Sequence, residues 1–168
     1  MCIIVDTNAL ASVFKKRAAD HVDFKPVLNW IINGRGTLIY GGSTYLGEIE
    51  DYLDIFSELG RMRKSVNVDA KKVDEKEKWA IAQMRHRNYD DPHIVALLII
   101  SGCKLVCTKD YRAIPYLTHH LFFPKSSGRP RIYTRRRNAD LLVDRNLTSL
   151  CRPGIKLSST QKKGLIIL

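Results

Sequence analysis

The chain reads YDDPHIVALLIISGCKLVCTKD from Tyr89 to Asp110, and the predicted fold is arranged around this segment. Its apolar block, residues 94–100, predicts a buried helix. The flanking residues suit the ends of a helix, because an acid can cap it, a proline fits its first turn and a glycine can end it. These residues are Asp91, Pro92 and Gly102.

A buried strand is predicted directly after this helix, at residues 104–107. One acid then stands at each end of the pair, Asp91 before the helix and Asp110 just past the strand. In α/β sheets such turns are where binding and catalytic sites form. Both acids are therefore candidate site residues, and helix capping is the structural alternative for Asp91.

Length and composition predict one globular domain. The chain has 168 residues, 45% of them hydrophobic, and a protein of this size can bury roughly 70% of its unfolded surface. We expect a single domain over residues 1–150 and a tail over residues 151–168.

There is no apolar run of about 18 residues and no secretory leader, so we expect a cytoplasmic protein that makes no membrane contact. The cysteines have no CxxC spacing and are expected to be buried thiols, with a metal-binding or disulfide role as the alternative; they are Cys2, Cys103, Cys107 and Cys151.

The positive charge lies almost entirely in the last part of the chain. Residues 1–124 contain 17 Lys and Arg against 15 Asp and Glu, a net charge of +2, whereas residues 125–168 contain 11 against 2, a net charge of +9. A basic segment on a nearly neutral body is typical of contact with a polyanion, most often nucleic acid. A solvated tail that only keeps the protein soluble is the alternative.

Strands alternate with helices along the rest of the chain. Apolar runs predict strands at residues 1–5, 37–40, 66–68 and 131–133, and periodic segments predict helices at residues 9–14, 24–32, 69–86 and 111–117. This alternation predicts right-handed crossovers and a mostly parallel central sheet with helices on both faces, a three-layer α/β/α fold. The turns that follow the strands then gather at one edge of the sheet.

One long helix is also predicted, from Ser43 to Leu59. At about 100° per residue, Glu48 falls inside its apolar arc, about 60° from Tyr45. A carboxylate that faces buried structure needs a partner or a metal, because an isolated buried charge is very costly. Glu77 lies on the apolar stripe of the next helix and weakens this argument, since long glutamate side chains can bend back to water.

Four acids stand at turns or helix starts that this fold can bring to one edge of the sheet: Asp6, Glu48, Asp91 and Asp110. Taken alone, Asp6 is better interpreted as a helix cap. If the four converge, carboxylates about 4 Å apart would repel by roughly 4 kcal/mol at an effective dielectric near 20, and a divalent cation would relieve that repulsion. Without His or Cys at ligand spacing, the set favours Mg²⁺ or Mn²⁺ over zinc.

These residues resemble the motifs of the PIN domain nucleases, among them the VapC-type toxins of bacterial and archaeal toxin-antitoxin pairs. The resemblance covers roughly residues 2–133 and lies in four motifs in the family's order: IIVDTN at residues 3–8, STYLGE at 43–48, DPHIVAL at 91–97 and LVCTKD at 105–110. It implies a catalytic and metal-binding set of Asp6, Glu48, Asp91 and Asp110, supported by Asn8 and Thr108. The chain departs from the family at Arg112, where many relatives have a further acid.

The resemblance implies a Mg²⁺- or Mn²⁺-dependent endoribonuclease that hydrolyses RNA phosphodiester bonds and leaves 5′-phosphate and 3′-hydroxyl ends. Basic residues of the C-terminal segment would bind the RNA backbone; they are Arg131, Arg135, Arg136 and Arg137. Toxin members are usually dimers neutralised by a small antitoxin, so a homodimer and a cognate antitoxin are expected partners. An RNA-processing or defence nuclease without an antitoxin is the alternative, and a small neighbouring reading frame would distinguish the two.

Two other classes of protein fit parts of the pattern. A non-catalytic α/β module could use the basic segment to bind nucleic acid. A phospho-receiver domain also has an acid after its first strand, but it needs paired early acids, and Asp6 stands alone. No GxGxxG or GxxxxGK[ST] pattern supports a nucleotide-binding fold.

Overall fold

The computed structural model describes residues 2–143, 148–151 and 155–164. A five-stranded sheet lies at its centre, made of β1 (Cys2–Val5), β2 (Thr37–Gly41), β3 (Ser65–Val68), β4 (Leu105–Cys107) and β5 (Arg131–Tyr133). The strands lie in the order β3-β2-β1-β4-β5 and every neighbouring pair is parallel. The predicted parallel α/β sheet is therefore confirmed.

Helices flank the sheet, as expected for a three-layer α/β/α fold. They are α1 (Thr7–Phe14), α2 (His21–Asn33), α3 (Ser43–Glu48), α4 (Leu53–Arg61), α5 (Ala70–Gln83), α6 (Pro92–Ser101), α7 (Ile114–Leu117) and α8 (Ser159–Gly164). Helix α1 packs on α2, and α5 packs on α6. Within the described parts of the chain, no helix has the length and apolar character needed to span a membrane.

The core is built around α6 and β4, the two elements predicted from residues 89–110. Residues 93–98 of α6 are all buried, and so is every residue of β4. Helix α6 begins at Pro92 and ends at Ser101, and the C-cap Gly102 has a left-handed φ of 65°, which glycine adopts readily. A helix that is apolar on all sides can be stable only when it is covered on all sides, which explains its central position.

The prediction of one long helix over residues 43–59 is wrong. Helix α3 ends at Glu48, a 3₁₀ turn spans Glu50–Tyr52, and α4 starts at Leu53. The two helices pack against different elements, α3 against α5, α6 and β2, and α4 against β3. With the bend, Tyr45 of α3 and Phe56 of α4 are each fully buried although the two helices pack on different elements.

The prediction of four buried thiols is correct for two cysteines and wrong for the other two. Cys103 and Cys107 are free and buried. Cys2 and Cys151 form a disulfide, with their Cα atoms 6.0 Å apart. This bond ties the 3₁₀ turn Ser149–Cys151 to the first residue of β1, which is the end of the strand opposite Asp6.

Candidate acidic site

The sheet has a switch point between β1 and β4. The chain builds β1, β2 and β3 outward on one side, then crosses to place β4 and β5 on the other side of β1. Val5 and Cys107 are register partners, so the residues that follow β1 and β4 lie next to each other. In open parallel sheets, ligands bind at the crevice outside the carboxyl ends of the strands at this switch.

Asp6 lies at this crevice and is buried, with only 2% of its surface exposed. It occupies the N-cap position of α1 but makes no capping hydrogen bond. Its Oδ2 instead accepts hydrogen bonds from Thr108 Oγ1 at 2.6 Å and from Asn8 Nδ2 at 2.7 Å. Asp69, at the same position of α5, does cap its helix by accepting from the Lys72 backbone. The capping interpretation of Asp6 is therefore wrong.

Asn8 and Thr108 connect the ends of the two strands. The Thr108 hydroxyl, which is fully buried, also accepts a hydrogen bond from the backbone N–H of Asp110 at 3.0 Å. Asn8 Oδ1 accepts from the backbone N–H of Lys109 at 2.9 Å. This network fixes the orientation of the Asp6 carboxylate and the start of the loop that carries Asp110.

Asp91 takes the N-cap position of α6, and it too makes no capping hydrogen bond. The predicted capping role is therefore wrong for its side chain. Burial raises the pKa of Asp91 to about 7, and the charges of neighbouring acids add to the shift. Those acids are Asp6, Asp90, Glu48 and Asp110, in decreasing order of effect. The other three predicted acids thus each lie within electrostatic range of Asp91.

Glu48 lies at the rim of the crevice, and the prediction that it faces buried structure is correct only in part, because its carboxylate reaches one buried group while its side chain stays partly exposed. Its side chain is 38% exposed because α3 ends at this residue. Glu48 Oε2 is 3.4 Å from Nε2 of His93, a buried ring nitrogen that makes no hydrogen bond. Tyr45, one turn earlier, is fully buried and donates from its hydroxyl to the Val5 carbonyl, which holds α3 against the end of β1.

Asp110 is engaged by Arg112. The guanidinium lies 3.3 Å from Asp110 Oδ2, and the backbone N–H of Arg112 donates to Oδ1 at 2.8 Å. The hydrogen bonds from Arg112 hold the pKa of Asp110 below its usual range. Arg112, at the position where many members of the PIN nucleases have a further acid, therefore pairs with Asp110 instead of adding a carboxylate.

The fit of these residues to a metal ion is partial. Oxygen-only donors are the type that Mg²⁺ and Mn²⁺ prefer, and the repulsion that raises the pKa of Asp91 is one that a cation would relieve. Across residues 2–143, 148–151 and 155–164, however, no three His, Cys, Asp or Glu side chains form a group that could hold a metal ion. Contacts with His93 and Arg112 occupy two of the four acids, so a metal would require both to rearrange.

The predicted RNA-binding arginines divide between the two ends of β5. Arg131 pairs with Leu105 at the amino end of the strand, away from the acids. Arg135, Arg136 and Arg137 follow its carboxyl end and are exposed. Arg135 Nη2 donates to the hydroxyl of Tyr111, the residue next to Asp110. Tyr111 is 50% exposed. Tyr111 was not among the predicted site residues, although an aromatic residue directly after a strand-end acid was a usable signal.

No family model, curated protein or solved structure matches this chain.

Proposed function

We propose that this protein is a metal-dependent ribonuclease of the PIN type. The observation that carries the proposal is the crowding of negative charge at Asp91, where burial and four other carboxylates raise the pKa of one carboxyl group to about 7. A structural role does not account for this crowding, because neither Asp6 nor Asp91 caps the helix it precedes. Perturbed acids in a crevice are typical of functional sites.

Each acid would have a separate part in holding the ion. Asp6 is fixed by Thr108 and Asn8, so it would be the most rigid ligand. Asp91, whose pKa is raised by burial and by the neighbouring carboxylates, would be stabilised in its charged form by a cation. Glu48 and Asp110 would complete the set from the rim. A bound divalent cation would supply an activated water and offset charge on the phosphodiester.

RNA is the proposed substrate because positive side chains border the acids on the β5 side. Lys109 and Arg112 flank Asp110 in sequence, and Arg135 contacts the next residue, Tyr111. Such residues would bind backbone phosphates, with an affinity that falls as salt is added. The toxin role suggested by the resemblance would add a small antitoxin protein as a partner.

A non-catalytic RNA-binding module is the second candidate, and one feature favours it. Arg112 neutralises Asp110, and the described residues contain no group ready to hold a metal ion. Such a module would bind RNA through the same basic residues and would leave it intact.

Incubation of the protein with a 5′-labelled single-stranded RNA separates the two candidates. We expect cleavage in Mg²⁺ or Mn²⁺, products with 5′-phosphate ends, and no cleavage in EDTA. The matched control is an Asp6→Asn and Asp110→Asn double variant purified in parallel, which should be inactive. Binding of RNA without cleavage in any divalent metal would support the module, and equal cleavage by the double variant would show a contaminating nuclease.

A further inference from the structure

A cavity of about 280 Å³ opens on the β5 side of the acidic site. Its lining includes Asp20, Lys109, Tyr111, Thr134 and Arg135. Lys109 and Tyr111 flank Asp110 in the chain, so the cavity lies next to the segment that carries Asp110. Its volume is slightly below the roughly 300 Å³ at which small-molecule pockets begin, so it has room for one small group and not for a large ligand.

Tyr111 provides an exposed aromatic surface at this cavity. Half of its surface is accessible, and the guanidinium carbon of Arg135 lies 5.8 Å from its ring centroid. The Arg135 hydrogen bond to its hydroxyl also lowers the pKa of Tyr111. The ring is thus held in place by a cation, and much of it remains available to a flat ligand.

The charges around the cavity differ in how far they are neutralised. Lys109 pairs with Asp20 at 3.0 Å and also donates to Ser12 Oγ. Within the described residues, neither Arg135 nor Arg137 forms a salt bridge with a carboxylate. Both arginines act electrostatically on the Tyr111 hydroxyl. Arg135 and Arg137 therefore place positive charge beside the exposed ring without a direct carboxylate partner in the described part of the chain, although Asp23 is near enough to act electrostatically on Arg135.

We propose that Tyr111 and Arg135 form a subsite for one unpaired nucleotide next to the cleavage position. The base stacks on the Tyr111 ring, and Arg135 and Arg137 contact the adjoining phosphate. This subsite rests on the proposed function, since it places the phosphate to be cleaved at the neighbouring Asp110. Stacking requires a free base face, so the subsite selects single-stranded RNA over a duplex.

A nucleotide suits this surface better than an acidic peptide does. The exposed ring offers a stacking face that the carboxylates of an acidic peptide would leave unused, and Asp20 and Asp23, which also line the cavity, leave room for few anionic groups beside Arg135. One phosphate and one flat base match the single cluster of positive charge and the single exposed ring.

Fluorescence anisotropy tests the subsite in EDTA, with a labelled single-stranded 12-mer RNA and the same strand annealed to its complement. Tyr111→Ala should weaken binding of the single strand by about 5- to 150-fold, the range for loss of one base stack. Tyr111→Phe and Tyr111→Trp keep a ring and should bind nearly as the wild type.

Arg135→Ala should lower the slope of log affinity against log salt by about 0.7, the value for one phosphate contact on a single strand. Arg35→Ala removes an exposed arginine just before the amino end of β2, on the far side of β1 from β5, and should change neither quantity.

The outcomes separate this subsite from the proposed function. Wild type that cleaves RNA, together with Tyr111→Ala that binds the single strand as tightly as wild type, would overturn the subsite alone. Wild type that binds through Tyr111 but does not cleave in any divalent metal would keep the subsite and overturn the nuclease. Equal loss of single-strand and duplex binding in Tyr111→Ala would contradict stacking. Wild type that binds no RNA but captures an acidic peptide through Arg135 would overturn both.

Discussion

Asp91→Asn is expected to reduce RNA cleavage by more than about 100-fold. Substitutions of residues that only hydrogen-bond to metal ligands already lower activity or metal affinity by about 10- to 100-fold, and Asp91 is a proposed ligand itself. The substitution keeps the shape of the side chain and removes its charge. Single-turnover cleavage of labelled RNA in Mn²⁺ measures the effect. The matched control is Asp90→Asn, which removes the exposed acid next to it and should stay within a few-fold of wild type. Wild-type activity in Asp91→Asn, or a larger loss in Asp90→Asn, would contradict the assignment.

The same substitution should stabilise the metal-free protein, which also shows that the variant folds. The pKa of Asp91 is about 7 in the folded protein, against about 3.9 in an unfolded chain. The folded state therefore binds this proton more tightly, and the stability of the wild type falls as pH rises from about 4 to about 7. Asparagine does not ionise, so the stability of the Asp91→Asn variant does not fall in this way. We expect a gain of about 1–2 kcal/mol above pH 7, with allowance for the partial exposure of the side chain, and no gain below pH 4. Urea unfolding in EDTA at several pH values measures it.

Reduction of the Cys2–Cys151 disulfide is expected to lower the free energy of unfolding by about 2–5 kcal/mol. The two cysteines are 149 positions apart, and closing a long loop restricts the unfolded chain strongly. Urea unfolding with and without reductant measures the loss. Cys151→Ser provides the control, since reductant should not destabilise it further. If the reductant leaves the unfolding of the wild type unchanged, the bond does not stabilise the protein.

Local patterns were sufficient to predict most of the fold. The helix at residues 92–101 carries its own start and stop residues, and β4 follows it as a short apolar run, so neither depended on distant contacts. The segment from Ser43 to Leu59 failed for the opposite reason. Its residues have helical periodicity throughout, but burial against α6 and β3 requires a bend that the pattern does not contain.

The site was predicted less completely, because its contacts join residues far apart in the chain. The bond from Thr108 to Asp6 spans 102 positions, and the one from Arg135 to Tyr111 spans 24. Strand-end position was enough to nominate Asp6 and Asp110. It could not reveal that Arg112 folds back on Asp110 or that Glu48 lies beside the buried His93, since both depend on side-chain packing.

The central claim is that Asp6, Glu48, Asp91 and Asp110 share one divalent-cation site. Anomalous diffraction from crystals soaked in Mn²⁺ tests it most directly. The account predicts an anomalous peak about 2.0–2.6 Å from carboxylate oxygens of both Asp6 and Asp91, with Asp110 released from Arg112. No peak at saturating Mn²⁺, or a peak that contacts neither Asp6 nor Asp91, would contradict the claim.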